Sequence, residues 1–163
     1  MNAGETLRMI GLSLIFLSFS LTGIALSARE RERLRRAEAL YGFLSEMELR
    51  IRLYSAPLSE ICASFSDPVL LRCGAVAELR RGDLEAAFLL AGDGIGSGCL
   101  GALRRFARSI GSGGYEESVS ACKEISELLG KECSSMKASL GDRTRLYTTL
   151  GLCAGAAAVI LLI

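Results

Sequence analysis

The chain has 163 residues, of which 50% are hydrophobic and 23% charged, and its net charge is +1 at pH 7. Nucleic-acid binding usually needs a strong basic excess on one face, so this balance does not favour it. The sequence contains no histidine, which removes the commonest general base and the commonest metal ligand.

The first element is an uncharged apolar segment, 9–28, which follows a short N-terminal tail, 1–8. About 20 helical residues cross the hydrocarbon core of a bilayer, so this segment predicts a transmembrane helix. A secretory signal peptide is the alternative, because Ala25 and Ser27 fit its small-residue cleavage rule. The apolar run is longer than a usual signal core of about 7–15 residues, which favours an uncleaved anchor.

A basic cluster follows this segment and sets the predicted orientation. Lysine and arginine beside a membrane span stay on the cytoplasmic side. We therefore expect the central part, 29–145, to be a cytoplasmic domain, and the cluster to act as a topology signal or to contact lipid headgroups. The cluster consists of Arg29, Arg31, Arg33, Arg35 and Arg36.

The polar sequence continues from Arg29 to Tyr54 without a helix breaker. Apolar residues recur along it every three or four positions, which is typical of one face of a helix. Glu48 falls beside that face, near Arg50 and Arg52. These three residues are either solvated charges on the side of the helix or a possible contact for a neighbouring helix or a partner protein.

Short helices are predicted in the middle of the chain. Asp67 followed by Pro68 is a strong start signal, an N-cap with proline at the first helical position. Gly82 suits the end of that helix, and Asp83 caps the next one. The predicted helices cover 57–65, 68–81, 84–91 and about 100–110, with a flexible loop at the glycines of 92–98 and a stop at those of 111–114.

The last helix begins near Tyr115 and leads into a second apolar segment, 146–163, which predicts a second transmembrane helix. Arg143 and Arg145 precede this segment. They assign the central domain to the same cytoplasmic side as the first cluster, and we expect them to share its topology or headgroup role.

A G-x-x-x-G pattern stands near the start of the second apolar segment, at Gly151 and Gly155. Such spacing lets two membrane helices approach closely, so both glycines are predicted to pack against another helix. A loosely packed helix that faces lipid is the alternative.

The fold predicted from these elements is all-α. It is a cytoplasmic helical bundle on two long antiparallel stem helices, flanked by N-terminal and C-terminal transmembrane helices. Each stem would reach about 40 Å from the bilayer at about 1.5 Å per residue. The first stem, 29–54, carries seven arginines and five glutamates and is net positive. The last stem, 115–140, carries three lysines and five glutamates and is net negative. Their opposite net charges favour pairing of the two stems.

No residues form a credible catalytic group, so we expect no catalytic, cofactor-binding or metal-binding residue and no enzyme. The six cysteines are scattered without a C-x-x-C pair and are interpreted as small buried residues. Without histidine, a serine nucleophile would need a lysine base. Gly96, Gly98 and Gly101 spell G-x-G-x-x-G, but a dinucleotide site needs a preceding strand, which this sequence does not predict.

Three short patterns and the two-span layout are similar to one family. The patterns are Leu44-x-x-x-Glu48-Leu49-x-Ile51 leading to Ala56-Pro57-Leu58, then Ile110-Gly111, and the ending Arg143-x-x-x-Tyr147-x-x-Leu150-Gly151-x-x-x-Gly155 with its aliphatic tail. On these residues, and over most of its length, the chain resembles the stage III sporulation protein AB family of endospore-forming bacteria.

The resemblance implies an assembly role. The family is similar to the inner-membrane platform proteins of type II secretion and type IV pilus machines. It implies docking of a cytoplasmic secretion-type ATPase, stage III sporulation protein AA, and contact with other channel subunits and with further copies of the same chain. The expected location is the mother-cell membrane around the forespore, where a channel joins the two cells.

Two other functions stay open at the level of sequence. One is a generic helical membrane adaptor without an export role. The other is an enzyme that binds a phosphate with the glycine-rich segment 92–101. Binding of a nucleotide would favour the enzyme, and association with a secretion-type ATPase would favour the platform.

Overall fold

The computed structural model describes residues 3–54, 57–110 and 114–162, with side chains between 11 and 160 of those ranges. Within them the protein is all-α and has no strand, which confirms the predicted class. The helices are α1 Ala3–Tyr54, α2 Leu58–Ser64, α3 Pro68–Arg72, α4 Ala75–Arg81, α5 Leu84–Ala91, α6 Ser97–Ser109 and α7 Tyr115–Leu162.

The chain forms two compact units. One, which we call the apolar pair, combines Met1–Glu32 with Ala138–Ile163 and so contains the first part of α1 and the last part of α7. The other, which we call the helical domain, is Arg33–Lys137. Its ends lie inside the predicted central domain, 29–145.

The helical domain has a continuous apolar core. Phe43 of α1 and Phe88 of α5 are fully buried. The ring of Phe43 lies 4.7 Å from that of Phe65 and 6.3 Å from that of Phe88, in edge-to-face contacts. The ring of Phe88 stacks 6.1 Å from that of Phe106 on α6. These four rings connect α1 to the short helices that follow it.

Four contacts join α1 to α7 inside the helical domain. Residue numbers rise along α1 as they fall along α7, so the two segments run in opposite directions. The contacts are those of Glu38 with Lys137, Tyr41 with Gly130, Met47 with Cys122, and Arg52 with Tyr115. The apolar residues predicted to share one face of α1 are largely in the core, as at Leu40, Leu44 and Met47.

The capping signals in the middle of the chain are confirmed, but one helix is divided. The Asp67 carboxylate accepts hydrogen bonds from the backbone N–H groups of Val69 and Leu70, at 2.8 and 3.1 Å. The single helix predicted over 68–81 is wrong, because Gly74 has a φ of +83° and separates α3 from α4. Residues other than glycine rarely adopt that backbone conformation.

The helix after the glycine-rich segment begins earlier than predicted. α6 starts at Ser97, with Gly96 as its N-cap, so Gly98 is helical and the loop is shorter than 92–98. The α7 helix passes through Gly130 and Gly141 without interruption. The predicted break at Ser55 and the glycines of 111–113, including the Ile110-Gly111 pattern's glycine, lie outside the described residues.

Candidate membrane anchor and partner surface

The apolar pair is held together by its smallest residues. A Cβ atom on Gly23 would lie 2.7 Å from the carbonyl oxygen of Tyr147, and one on Gly151 would lie 3.0 Å from that of Phe19. A Cβ atom on Gly155 would lie 3.0 Å from the ring of Phe16. The helices therefore approach so closely that no side chain fits at Gly23, and the structure places Gly151 and Gly155 against α1.

Apart from the Phe16 ring, which lies against Gly155, the large apolar side chains of the pair lie outside this contact. Among the described residues of the pair, the large hydrophobic side chains are mostly exposed, whereas Gly23, Ser27 and Gly155 are buried. The exposed ones are Leu14, Phe16, Leu17, Phe19, Leu21, Ile24, Leu26, Leu146, Leu150, Leu152 and Ile160. Small residues at the contact and large apolar residues outside it are typical of helices packed in lipid. There the hydrophobic effect does not drive helices together, so close packing does.

By length and composition, α1 is apolar enough to cross a membrane. Only 11% of its most apolar stretch is buried within the protein. No second helix meets the same criterion within the described side chains. The second predicted span, 146–163, includes residues beyond 160 whose side chains are not described. A second crossing by α7 therefore stays a prediction.

An ion pair lies at the polar end of the apolar pair. The Arg143 guanidinium is 3.5 Å from the carboxylate of Glu30, whose side chain is only 13% exposed. Arg29, Arg31 and Arg145 are exposed. Sequence reasoning did not single out Glu30, because the alternating Arg-Glu run gives no sign of which acid faces the partner helix.

Three arginines of the predicted topology cluster belong to the helical domain, and two of them contact a turn. A Cβ atom on Gly94 would lie 2.5 Å from Cδ of Arg33, so the Arg33 side chain crosses the backbone there. Arg36 lies 3.8 Å from the carboxylate of Asp93. Arg35 is exposed. Arg33 and Arg36 therefore have a structural contact in addition to any role in topology.

The three residues predicted as a partner contact differ in availability. Arg50 is engaged within the domain, because its guanidinium donates to Ser64 Oγ at 2.7 Å and pairs with Glu46 at 2.5 Å. Glu48 is half-buried. Arg52 is exposed, and its backbone carbonyl accepts a hydrogen bond from the Tyr115 hydroxyl.

Two exposed leucines accompany Arg52, and sequence reasoning did not select them. Leu49 and Leu53 lie one turn apart on α1, and Leu53 is 59% exposed. Tyr54 beside them is also exposed. The periodicity marked the apolar face that enters the core and gave no reason to expect apolar residues on the opposite face.

The glycine-rich segment does not have the surroundings of a dinucleotide site. No strand precedes it among the described residues, and Gly98 and Gly101 lie inside α6. The backbone N–H of Gly96 donates to the Glu132 carboxylate at 3.3 Å. A phosphate at this helix end would have to compete with that negative charge.

Four cysteines of the helical domain, Cys62, Cys99, Cys122 and Cys133, have raised pKa values, which makes them poor nucleophiles. Burial, followed by the nearby Glu48 carboxylate, raises the pKa of the Cys122 thiol to about 12. Burial likewise raises the pKa of Cys133 to about 11, and it raises those of Cys62 and Cys99. The interpretation as small buried residues is confirmed for Cys62, Cys99 and Cys122. Cys73 and Cys133 are half-buried, and Cys153 in the apolar pair is exposed.

Comparison with known proteins identifies a family. A family model described as stage III sporulation protein AB matches residues 8–78 and 95–163. The unmatched part, 79–94, contains α5 and the turn that Arg33 and Arg36 contact. No curated protein and no solved structure gave a significant match to this chain. The two matched segments cover nearly the whole chain, which therefore belongs to the stage III sporulation protein AB family.

Proposed function

We propose that this sporulation protein is a membrane platform component of a secretion-like channel between mother cell and forespore, and that it docks a cytoplasmic secretion-type ATPase resembling stage III sporulation protein AA. The role is mechanical rather than enzymatic. The chain is anchored by both apolar segments, and the helical domain lies on the cytoplasmic side of the mother-cell membrane around the forespore.

The observation that carries this proposal is that the two units of this chain, a member of the stage III sporulation protein AB family, bury opposite kinds of residue. The apolar pair buries glycines and exposes large apolar side chains, as a lipid-facing anchor does. The helical domain buries a core that includes Phe43 and Phe88, as a domain in water does. An anchored, packed domain suits protein docking.

The antiparallel contacts between α1 and α7 support the proposed stem. The Tyr115 hydroxyl donates to the carbonyl of Arg52 at 2.8 Å, and Lys137 lies 3.7 Å from the carboxylate of Glu38. These contacts and the buried Met47–Cys122 pair extend along both helix segments. Helices held along their length can transmit a force with little bending, which suits a part that relays the motion of an ATPase.

We propose the exposed face of α1 at Leu49, Arg52 and Leu53 as the ATPase contact. Two leucines one turn apart form an apolar strip that water covers in the isolated chain. Arg52 adds an exposed positive charge beside them. Arginine is enriched at protein interfaces relative to the rest of the surface.

Co-purification with the secretion-type ATPase of the same genome tests the proposal. The full chain, extracted in detergent, should retain the ATPase through affinity purification. Leu53→Asp should remove most of it, because a charge would enter the apolar strip. Leu71→Asp is the matched control, since Leu71 is 54% exposed on α3 and lies outside the strip.

The possible outcomes test the platform role and the proposed docking surface separately. If the parent chain retains no ATPase, the platform role is contradicted and a generic membrane adaptor remains. If both leucine variants retain the ATPase equally, docking occurs elsewhere on the chain. Binding of a nucleotide by the chain itself would instead support the enzyme function that segment 92–101 suggested.

A further inference from the structure

An open groove of about 250 Å³ lies between α6 and α7 of the helical domain. Ala102 on α6 and Ala121 on α7 are too small to fill it, and the buried side chains of Phe106 and Ile125 form its floor. The remaining lining residues are Arg105, Ser109, Glu124 and Leu128. All of these residues lie within the segment that matches the family, 95–163.

The size and lining of the groove suit a side chain rather than a small molecule. Small-molecule sites usually enclose about 300–1,000 Å³, and this groove is smaller and open. Leu128 stands at its edge and is 40% exposed. The same face therefore carries a depression and a large apolar side chain that could enter such a depression.

The two edges of the groove carry opposite charges. Arg105 is exposed on the α6 edge and Glu124 is exposed on the α7 edge. Neither makes an ion pair or a side-chain hydrogen bond with any part of the chain that the structure describes. Along the length of the groove both lie near its middle, since the lining covers 102–109 on α6 and 121–128 on α7.

We propose that this groove is the contact with a second copy of the chain, related by a two-fold axis parallel to α6 and α7. In a two-fold interface, residue i of one copy contacts residue j of the other, and j contacts i. Arg105 of each copy then meets Glu124 of the other, and Leu128 of each copy packs into the opposite groove.

Charge complementarity favours a second copy over a partner whose contact surface carries a single sign of charge. A partner edge of a single sign would be repelled by either Arg105 or Glu124, whereas the same surface rotated by two-fold symmetry satisfies both. Like charges placed opposite each other in an interface are strongly unfavourable. A partner that would create them is therefore excluded, and one that places opposite charges there is selected. The proposed contact involves α6 and α7 and does not depend on ATPase docking at Leu53.

Charge reversal tests the proposal on full-length chains carrying two different affinity tags. Arg105→Glu places a second carboxylate opposite Glu124, and Glu124→Arg places a second guanidinium opposite Arg105, so each variant should co-purify with itself about 10-fold less than the parent. Mixing the two variants restores attractive pairs, and the mixture should co-purify as the parent does. Only a contact between copies can give this recovery.

Arg80→Glu is the matched control, because Arg80 is exposed on α4, away from the groove. It should leave self-association unchanged, and the far-UV circular dichroism of all variants should match that of the parent. A monomeric parent, single variants that associate like the parent, or a mixture that associates no better than its components would each overturn the proposal. The last two results are also those expected if the copies associate only through the apolar pair.

Discussion

Gly23 and Gly151 are in backbone contact between α1 and α7. A Cβ atom on Gly23 would lie 3.4 Å from the Cα of Gly151, and one on Gly151 would lie 3.2 Å from the Cα of Gly23. Membrane helices associate through such close approaches, because lipid gives no hydrophobic driving force between them. The association of the apolar pair therefore depends on the absence of side chains at these two positions.

Gly23→Val should separate the two helices, since its Cβ would lie 2.7 Å from the Tyr147 carbonyl oxygen. Overpacking of this kind costs about 1–3 kcal/mol. We expect the full chain in detergent to aggregate at a lower temperature than the parent.

Gly11→Val is the control for that substitution. Gly11 lies on the same helix, and a Cβ atom there meets nothing within 4 Å. It should leave the aggregation temperature close to that of the parent. Equal effects of the two valines would show that the close contact at Gly23 does not stabilise the pair.

Gly82→Ala should destabilise the helical domain, and Gly42→Ala should stabilise it. Gly82 has a φ of +84° at the end of α4, a conformation that costs an alanine about 1–2 kcal/mol. Gly42 is exposed within α1 with open space around it, where alanine gains about 0.5–1 kcal/mol. Pulse proteolysis of the full chain in urea measures both, and shifts of the same sign would contradict the assigned backbone conformations.

The ion pair between Glu85 of α5 and Arg108 of α6 should give an acid-dependent contribution to stability. Hydrogen bonding to Arg108, at 2.6 and 2.8 Å, holds the pKa of the Glu85 carboxyl below its ordinary value of 4.5. A lowered folded-state pKa stabilises the protein above the unfolded-state pKa, and this contribution is lost as pH falls through the folded-state value.

Glu85→Gln tests this ion pair by urea unfolding at several pH values. The variant should be less stable than the parent near neutral pH, and the difference should shrink below about pH 4.5. The effect should be small and weaken with added salt, because the pair is exposed. A difference that is constant with pH would show that the amide disrupts packing instead.

Cys122 should resist alkylation in the folded chain. Its thiol contacts Met47 Sδ at 3.8 Å in the core, and its pKa of about 12 leaves almost no thiolate. At about pH 8, iodoacetamide should modify Cys122 only after denaturation, because the thiolate is the reactive form. Mass spectrometry of peptides measures the modified fraction, and rapid modification of the folded chain would contradict the burial.

The local signals in the sequence predicted helices well where a single side chain decides the backbone. Asp67 and Asp83 cap α3 and α5 as expected, since their carboxylates accept backbone N–H groups within three residues. Gly74 was missed, because an isolated glycine is compatible with a helix, and only its observed φ shows the division of 68–81.

The site was less predictable, because its features depend on contacts between distant residues. The pattern G-x-x-x-G indicated a packing helix at Gly151 and Gly155, but nothing in it pointed to Gly23 as the neighbour of Gly151 or to Phe16 as the neighbour of Gly155. Arg33 and Arg36 looked like part of a topology signal, and the structure also places them on the turn at 92–95. The groove between α6 and α7 arises from two alanines that sequence spacing does not connect.

We propose that both apolar segments cross the membrane and leave the helical domain in the cytoplasm. Fusion of a reporter that is active only in the cytoplasm tests it directly, at Gly94 in an exposed turn and after Ile163. We predict an active reporter at Gly94 and an inactive one after Ile163. An inactive reporter at Gly94 would contradict the cytoplasmic domain, and an active one after Ile163 would contradict the second crossing.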